Sequence, residues 1–282
     1  MNRPRHLPFR PLVLALAWSS RLAAAADGTA AAAAGADANL AARVRRNEAG
    51  DVWIAGVPMV HQGNGGFCVP AVAERVLRHF GKPADREAIA AASRTGELGG
   101  THSDDLLAGL IRICRANGLA VETLMGWTPE GFRAFLADYN RAAAAVGAPR
   151  IEPAAVDPAD VGPVYGRMDP RALRAATGAD ARGLEEFRRH IRESVEAGLP
   201  PIWSVYVGLY PERPALAAYQ RGGHLRLVIG YNDRAAEVLY TDTWGPGHEL
   251  KRLPLADAWA MSLALTRVAP AGKTPPNDGR WP

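Results

Sequence analysis

The sequence predicts an α+β fold, helical through its first two thirds and sheet-forming in its last third. Two observations carry this. Between residues 68 and 198, apolar side chains recur at helical spacing behind cap-and-proline starts. From Ile202 to Leu253, short β-rich runs alternate with turn residues, for which a meander is the natural connection. Helices early and an antiparallel sheet late leave a groove between two parts, where a site can form.

Taken in order, Val52 to Val60 reads as a short strand interrupted by Pro58, suited to an edge or an entry segment. Gly63 to Gly66 forces a turn. A helix then opens at Cys68: Val69, Val72, Val76 and Phe80 keep helical spacing, Pro70 sits in the first turn, and Gly81 ends the run. Asp85 and Ser103 are expected to cap two further helices, the second carrying Leu107, Ile111 and Cys114 on one face and stopping at Gly118. Leu119 to Leu124 suits a strand. Thr128-Pro129 and Asp169-Pro170 are helix starts, and Leu184, Phe187, Ile191 and Val195 mark another amphipathic face. The Pro- and Gly-rich stretch from Gly147 to Gly166 is read as a rim of the cleft or a plain surface excursion. The expected strands are Ile202 to Val207, His224 to Tyr231, Glu237 to Thr241 and His248 to Leu253, separated by Asn232-Asp233 and Gly245-Pro246-Gly247.

Composition bounds the organisation. A chain of 282 residues, 48% apolar, can bury one substantial core. Its pI of about 9.3 misleads, because Arg3, Arg5, Arg10 and Arg21 stand without acids in the first 26 positions. Of 33 basic residues, removing these four leaves 29 against 29 acidic ones. Beyond Arg43-Val44-Arg45-Arg46 no dense basic stripe exists, so nucleic acid is not an expected partner. Residues 1–26 have the form of a signal peptide: a basic start, the apolar run Leu12 to Trp18, and Ala24-Ala25-Ala26 before Asp27. That run is too short for a bilayer span, so the expectation is export with no stable membrane anchor after leader cleavage. Residues 27–50 read as an Ala/Gly-rich tether, its basic cluster a solvated linker face, and 51–268 as one domain with a helical insertion at about 127–198. A Pro-rich tail, 269–282, closes the chain.

The chemistry concentrates at three places. Gln62 precedes Cys68 by six positions, and Cys68 stands where a helix begins; a helix N-terminus or an imidazolium neighbour lowers a thiol pKa. His224, at the start of an apolar strand, would pair with the thiolate and later protonate a leaving amine. Asp242 would hold the other ring nitrogen. Gln62 and the Cys68 backbone N–H are candidate donors to the oxyanion. Neither cysteine has a CxxC partner and the histidines show no ligand spacing, so no metal and no cofactor are expected. The residues alone leave other readings open. Cys68 could be a buried small hydrophobe or bridge to Cys114, Asp242 could cap a turn, and Trp244 could be ordinary core.

In chain order, Gln62, Cys68, His224 and Asp242 resemble the active-site series of the papain-like cysteine peptidases, most nearly soluble relatives of the bacteriocin-processing (double-glycine leader) peptidases. Gly222-Gly223-His224 followed by Leu227-Val228-Ile229-Gly230-Tyr231 looks like the family's His-bearing strand. Asp242-Thr243-Trp244-Gly245 is similar to papain's Asn-Ser-Trp-Gly segment, and Gly99-Gly100-Thr101 also resembles those relatives. The sequence departs at Val69, where many members have Gly, and at Thr243, where many have Pro. The resemblance implies a papain-like fold, with Cys68 on the helical part and His224 and Asp242 on the antiparallel sheet. It further implies a Cys-His-Asp triad, an oxyanion Gln62, a Trp244 that shields the His–Asp hydrogen bond, and Gly223 in support.

The expected function is an exported cysteine peptidase-like hydrolase that cleaves a peptide bond through an acyl-thioester, with a peptide or protein substrate as partner. A catalytically silent papain-like domain that binds peptides, and a thiol acyltransferase, are the alternatives. A cell-wall amidase fits less well, since Phe67 stands where those cysteine enzymes usually carry Asp. Double-glycine specificity belongs to transporter-fused relatives and is not carried over.

Overall fold

A computed structural model of the chain describes residues 40–63, 66–96, 103–153, 156–157, 161–216 and 221–272. The expected signal peptide, most of the tether, Gly99-Gly100-Thr101 and the end of the tail lie outside the described residues.

The strands are β1 (Val44–Arg46), β2 (Asp51–Ile54), β3 (Leu119–Gly126), β4 (Ile202–Val207), β5 (Gly222–Asn232), β6 (Glu237–Thr241), β7 (Lys251–Pro254) and β8 (Ser262–Pro270). All pairings are antiparallel, and β4 through β7 form a meander, with β8 and then β3 added beside β4. The eleven-residue β5 is the axis. One side pairs first with β4, from Val207 opposite Gly222 to Ile202 opposite Leu227, and then with β2, where Trp53 faces Gly230. A Cβ on Gly230 would come within 2.4 Å of the Val52 carbonyl oxygen, so only glycine lets β2 cross there. On its other side β5 pairs with β6, but only as far as Leu227 opposite Thr241. His224 and Leu225 lie beyond that last pair, where the two strands part. The sheet curls into a half-barrel.

Helices α1 (Cys68–His79), α2 (Arg86–Ala92) and α3 (Ser103–Ala116) cover one face of the sheet. Val72, Val76 and Leu77 of α1 are at most 2% exposed and pack with Leu110, Cys114 and the alternate β5 residues Leu225, Leu227 and Ile229. Burial of each such side chain stabilises by about 1.5–3 kcal/mol. Asp85 caps α2 by accepting from Glu87 and Ala88, and Gly81, at φ +66, follows α1. The opposite face meets α4 (Pro129–Ala145), α5 (Gly162–Tyr165), α6 (Pro170–Gly178), α7 (Ala181–Glu196) and α8 (Leu255–Ala260). Thr128, Asp169 and Asp180 cap α4, α6 and α7 through backbone N–H groups. Phe132, Phe187 and Leu173 form the second core with Val228, Trp203 and Tyr240. Among the described residues, no helix is long and apolar enough to cross a membrane.

Four expectations need correction. The stretch read as tether is ordered before residue 51: Val44 to Arg46 pair with Val52 to Ile54, Leu40 is buried, Arg43 donates to the His79 carbonyl, and Arg46 bonds Glu196. Backbone pairing and arginine contacts, which apolar composition does not register, hold it. The strand expected over 52–60 ends at Ile54, because the chain turns at Ala55 and Gly56, the latter at φ +71, and the Pro58 carbonyl beyond it accepts from Arg75. The strand expected from His248 begins at Lys251, because Asp242 N–H donates to the His248 carbonyl and closes a turn around Gly245-Pro246-Gly247. The stretch 147–166 is no mere surface excursion: Ile151, Val164 and Tyr165 are buried in the second core.

Candidate active site

The site forms where β5 and β6 part. Cys68 opens α1 without acidic residues in the first turn, so the positive end of the helix dipole falls on its sulfur uncompensated. Cys68 is half-buried, and its thiol lies against the His224 ring and the backbone N–H groups of Leu225 and Val69, all of which favour the thiolate. Leu225 can offer its N–H because β6 has already left the sheet. Burial favours the neutral thiol, but the bond to and charge of His224, with the two N–H donors, outweigh it and lower the Cys68 pKa.

His224 is 7% exposed and its Nε2 lies 2.7 Å from Asp242 Oδ1, which leaves Nδ1 for the thiol. Burial opposes charge on the ring. Asp242, through its charge and hydrogen bond, and Cys68 outweigh it and raise the imidazole to about 9. Trp244 stacks on the ring, centroids 4.4 Å apart and planes 11° from parallel, so it covers the His–Asp pair. Asp242 is fully buried; burial works against its ionisation, yet Arg226, His224 and Lys251 hold it well below the usual carboxylate range.

Gln62 is brought beside the Asp242 segment rather than left in a loose loop. Its backbone N–H donates to the Thr243 carbonyl at 2.8 Å, and the Thr243 hydroxyl donates to its Oε1. Gly245, at φ +83, permits the approach: a Cβ there would lie 2.5 Å from the His61 ring. Gly223 is exposed and pairs with Tyr206, and a Cβ on it would meet nothing within 4 Å, so no packing demands glycine there. The two cysteines are free thiols; Cys114 is 1% exposed in the first core, where burial pushes its thiol up to about 12.

The structure adds residues that the sequence reading missed. Arg75, two helical turns after Cys68, is 1% exposed and donates to Pro58 O (2.6 Å), Asp242 O (2.9 Å) and Thr241 Oγ1 (2.8 Å). It therefore ties α1 to the segment leading into Gln62 and to the backbone of Asp242. Behind Asp242 lie Arg226, Lys251, Glu212 and Tyr240, all buried. Arg226 had a sequence signal, being the one charged residue in the run from Leu225 to Tyr231, two positions after His224. Glu212 had none.

Comparison with known proteins gives the family. The profile of the Peptidase_C39 like family matches residues 54–262, well over half the chain. Among solved structures, the peptidase domain of Streptococcus ComA, a bi-functional ABC transporter involved in a quorum sensing pathway, is similar at 13% identity, over 76% of this chain and 99% of that one, with a TM-score of 0.39. Xylellain, a cysteine protease from Xylella fastidiosa, is similar at 18% identity over 82% of this chain and 88% of that one, with a TM-score of 0.38. No curated protein matches the chain. By its family profile the chain belongs to the Peptidase_C39 like family, and it is a papain-like cysteine peptidase.

Proposed function

We propose that the chain hydrolyses peptide bonds through Cys68, His224 and Asp242, by way of an acyl-thioester on Cys68. The observation that carries this reading is the His224 ring, set between the Cys68 thiol and the Asp242 carboxylate, which its Nε2 meets at 2.7 Å. The thiolate attacks the scissile carbonyl carbon, and the oxygen takes the negative charge beside the Cys68 N–H and the Gln62 amide. His224 gives its proton to the leaving amine as the C–N bond breaks, leaving the thioester. Water then surrenders a proton to His224 and adds to the thioester, and collapse releases the acid and the thiolate. Asp242 holds the ring in the orientation both steps need. The enzyme is proposed to be exported, with peptide or protein segments as substrates.

Alkylation tests the nucleophile. Iodoacetamide at pH 6 is expected to consume one thiol per native chain, at Cys68, with peptide hydrolysis lost in step; Cys114 should react only after unfolding, because it is buried and its thiol is pushed up to about 12. Equal reaction of both thiols, or hydrolysis surviving full modification, would overturn the reading. The pH profile follows from the same pair. Raising pH through about 9 strips the imidazolium proton that the leaving amine needs, so kcat/KM should fall there.

Thr243→Val removes the hydroxyl that holds Gln62 Oε1 while keeping the side-chain shape. Losing one such hydrogen bond of about 1 kcal/mol should lower kcat roughly fivefold, with KM little changed, because the oxyanion exists only after attack. A rise in KM at unchanged kcat would place Gln62 in substrate binding instead.

A further inference from the structure

Asp242 is shared by more partners than a triad requires. Arg226 Nε lies 3.2 Å from Oδ1, the same oxygen that His224 takes at 2.7 Å, and Lys251 Nζ lies 3.3 Å from Oδ2. Two cations on one carboxylate would spend its charge and leave the imidazolium poorly stabilised. A second carboxylate prevents this. Glu212, 6% exposed, takes Arg226 Nη2 with both oxygens at 2.7 and 2.9 Å and Lys251 Nζ at 2.8 Å, and accepts the Tyr240 hydroxyl at 2.7 Å. Each cation is thus nearer to Glu212 than to Asp242. The Arg226 guanidinium carbon also sits 4.6, 5.6 and 5.9 Å from the ring centres of Tyr240, Trp244 and Trp203, while its Nη1 has no hydrogen-bond partner among the described residues. Aromatic faces accept that part of the charge in place of an acceptor atom.

We propose that Glu212 is a positioning residue for the reaction: by drawing Arg226 and Lys251 off Asp242, it reserves that carboxylate's charge for the His224 ring. The charged and titratable groups around the pair come from every packed element: Cys68 and Arg75 of α1, His224 and Arg226 of β5, Tyr240 of β6, Asp242 just after it, Lys251 of β7, and His248 of the intervening turn. Arg75 meets Asp242 at its backbone carbonyl, so it is no rival for the carboxylate. For its effect on turnover the inference rests on the peptidase reading, but its effect on His224 does not.

The test is an NMR titration of the His224 ring in the full chain, identified by its absence in His224→Ala, run beside the pH profile of kcat/KM. The unaltered ring should lose its proton near pH 9. Glu212→Gln should lower that midpoint by about one pH unit or more, since both cations then lean on Asp242. Lys251→Met should move it the other way, and the double variant should return it toward the starting value. The high-pH limb of kcat/KM should follow each shift. Unchanged midpoints in both single variants, or shifts of the same sign, overturn the proposal. Should Glu212→Gln not fold, the upward shift in Lys251→Met decides alone, and its absence overturns the proposal. Expected titrations combined with hydrolysis that persists in Cys68→Ala would sink the peptidase reading and leave the role of Glu212 standing.

Discussion

Cys68→Ala should lower kcat by about six orders of magnitude, the size of loss that follows deletion of a triad nucleophile. No neighbouring group can take over. Cys114 is buried in the first core with its thiol pushed up to about 12, and water bound near His224 would lack both covalent capture and the helix N-terminus beneath the sulfur. The fold should persist, because the change deletes only a half-buried sulfur and keeps the α1 face of Val72, Val76 and Leu77. Hydrolysis of a quenched fluorescent peptide mixture, with circular dichroism as the control for folding, measures both. Turnover within about tenfold of the unaltered chain would remove Cys68 from the chemistry.

Arg75→Met should be the most damaging change to stability outside the apolar core. Methionine retains the length of the side chain but strands the carbonyls of Pro58 and Asp242, while the Thr241 hydroxyl keeps its bond to the His248 carbonyl. Each buried polar group left without a partner costs about 1–3 kcal/mol. One effect runs the other way. Burial already disfavours the Arg75 charge, lowering its pKa to about 10, so removing the guanidinium relieves that desolvation. The stranded acceptors prevail, for a net loss of about 3–5 kcal/mol and a Tm lowered by on the order of 10 °C. Because the same guanidinium fixes the approach to Gln62 and the backbone of Asp242, kcat should fall in the folded fraction as well. A Tm within about 2 °C of the unaltered chain would show that water replaces the guanidinium's bonds.

What could be read from residue order was whatever carries a local signature. The α1 start at Cys68 shows as a thiol followed by proline and an apolar face, β5 as an apolar strand-like run after His224, and Asp242 as the end of a strand before a Gly-Pro-Gly turn. The groups that hold these three together have no such mark. Arg75 meets its acceptors across 166 and 167 positions, and Glu212 reaches Lys251 across 39. Their pairing is decided by where strands part, which no window of sequence displays. Arg226 was visible as a charge in an apolar strand, but a charge there predicts a partner without naming it. The β1 strand was missed for a related reason: Val44 to Arg46 earn their place through backbone pairing with β2.

The parting of β5 from β6 also sets when the thiol can become reactive. In a nascent chain Cys68 emerges 156 positions ahead of His224 and 174 ahead of Asp242. Until that C-terminal third has been made and docked, the sulfur has neither base nor counter-charge, and it behaves as an ordinary protonated thiol. If the proposed triad does the chemistry, half-made polypeptide is chemically quiet, and the order of synthesis itself withholds the proposed hydrolysis until folding is done.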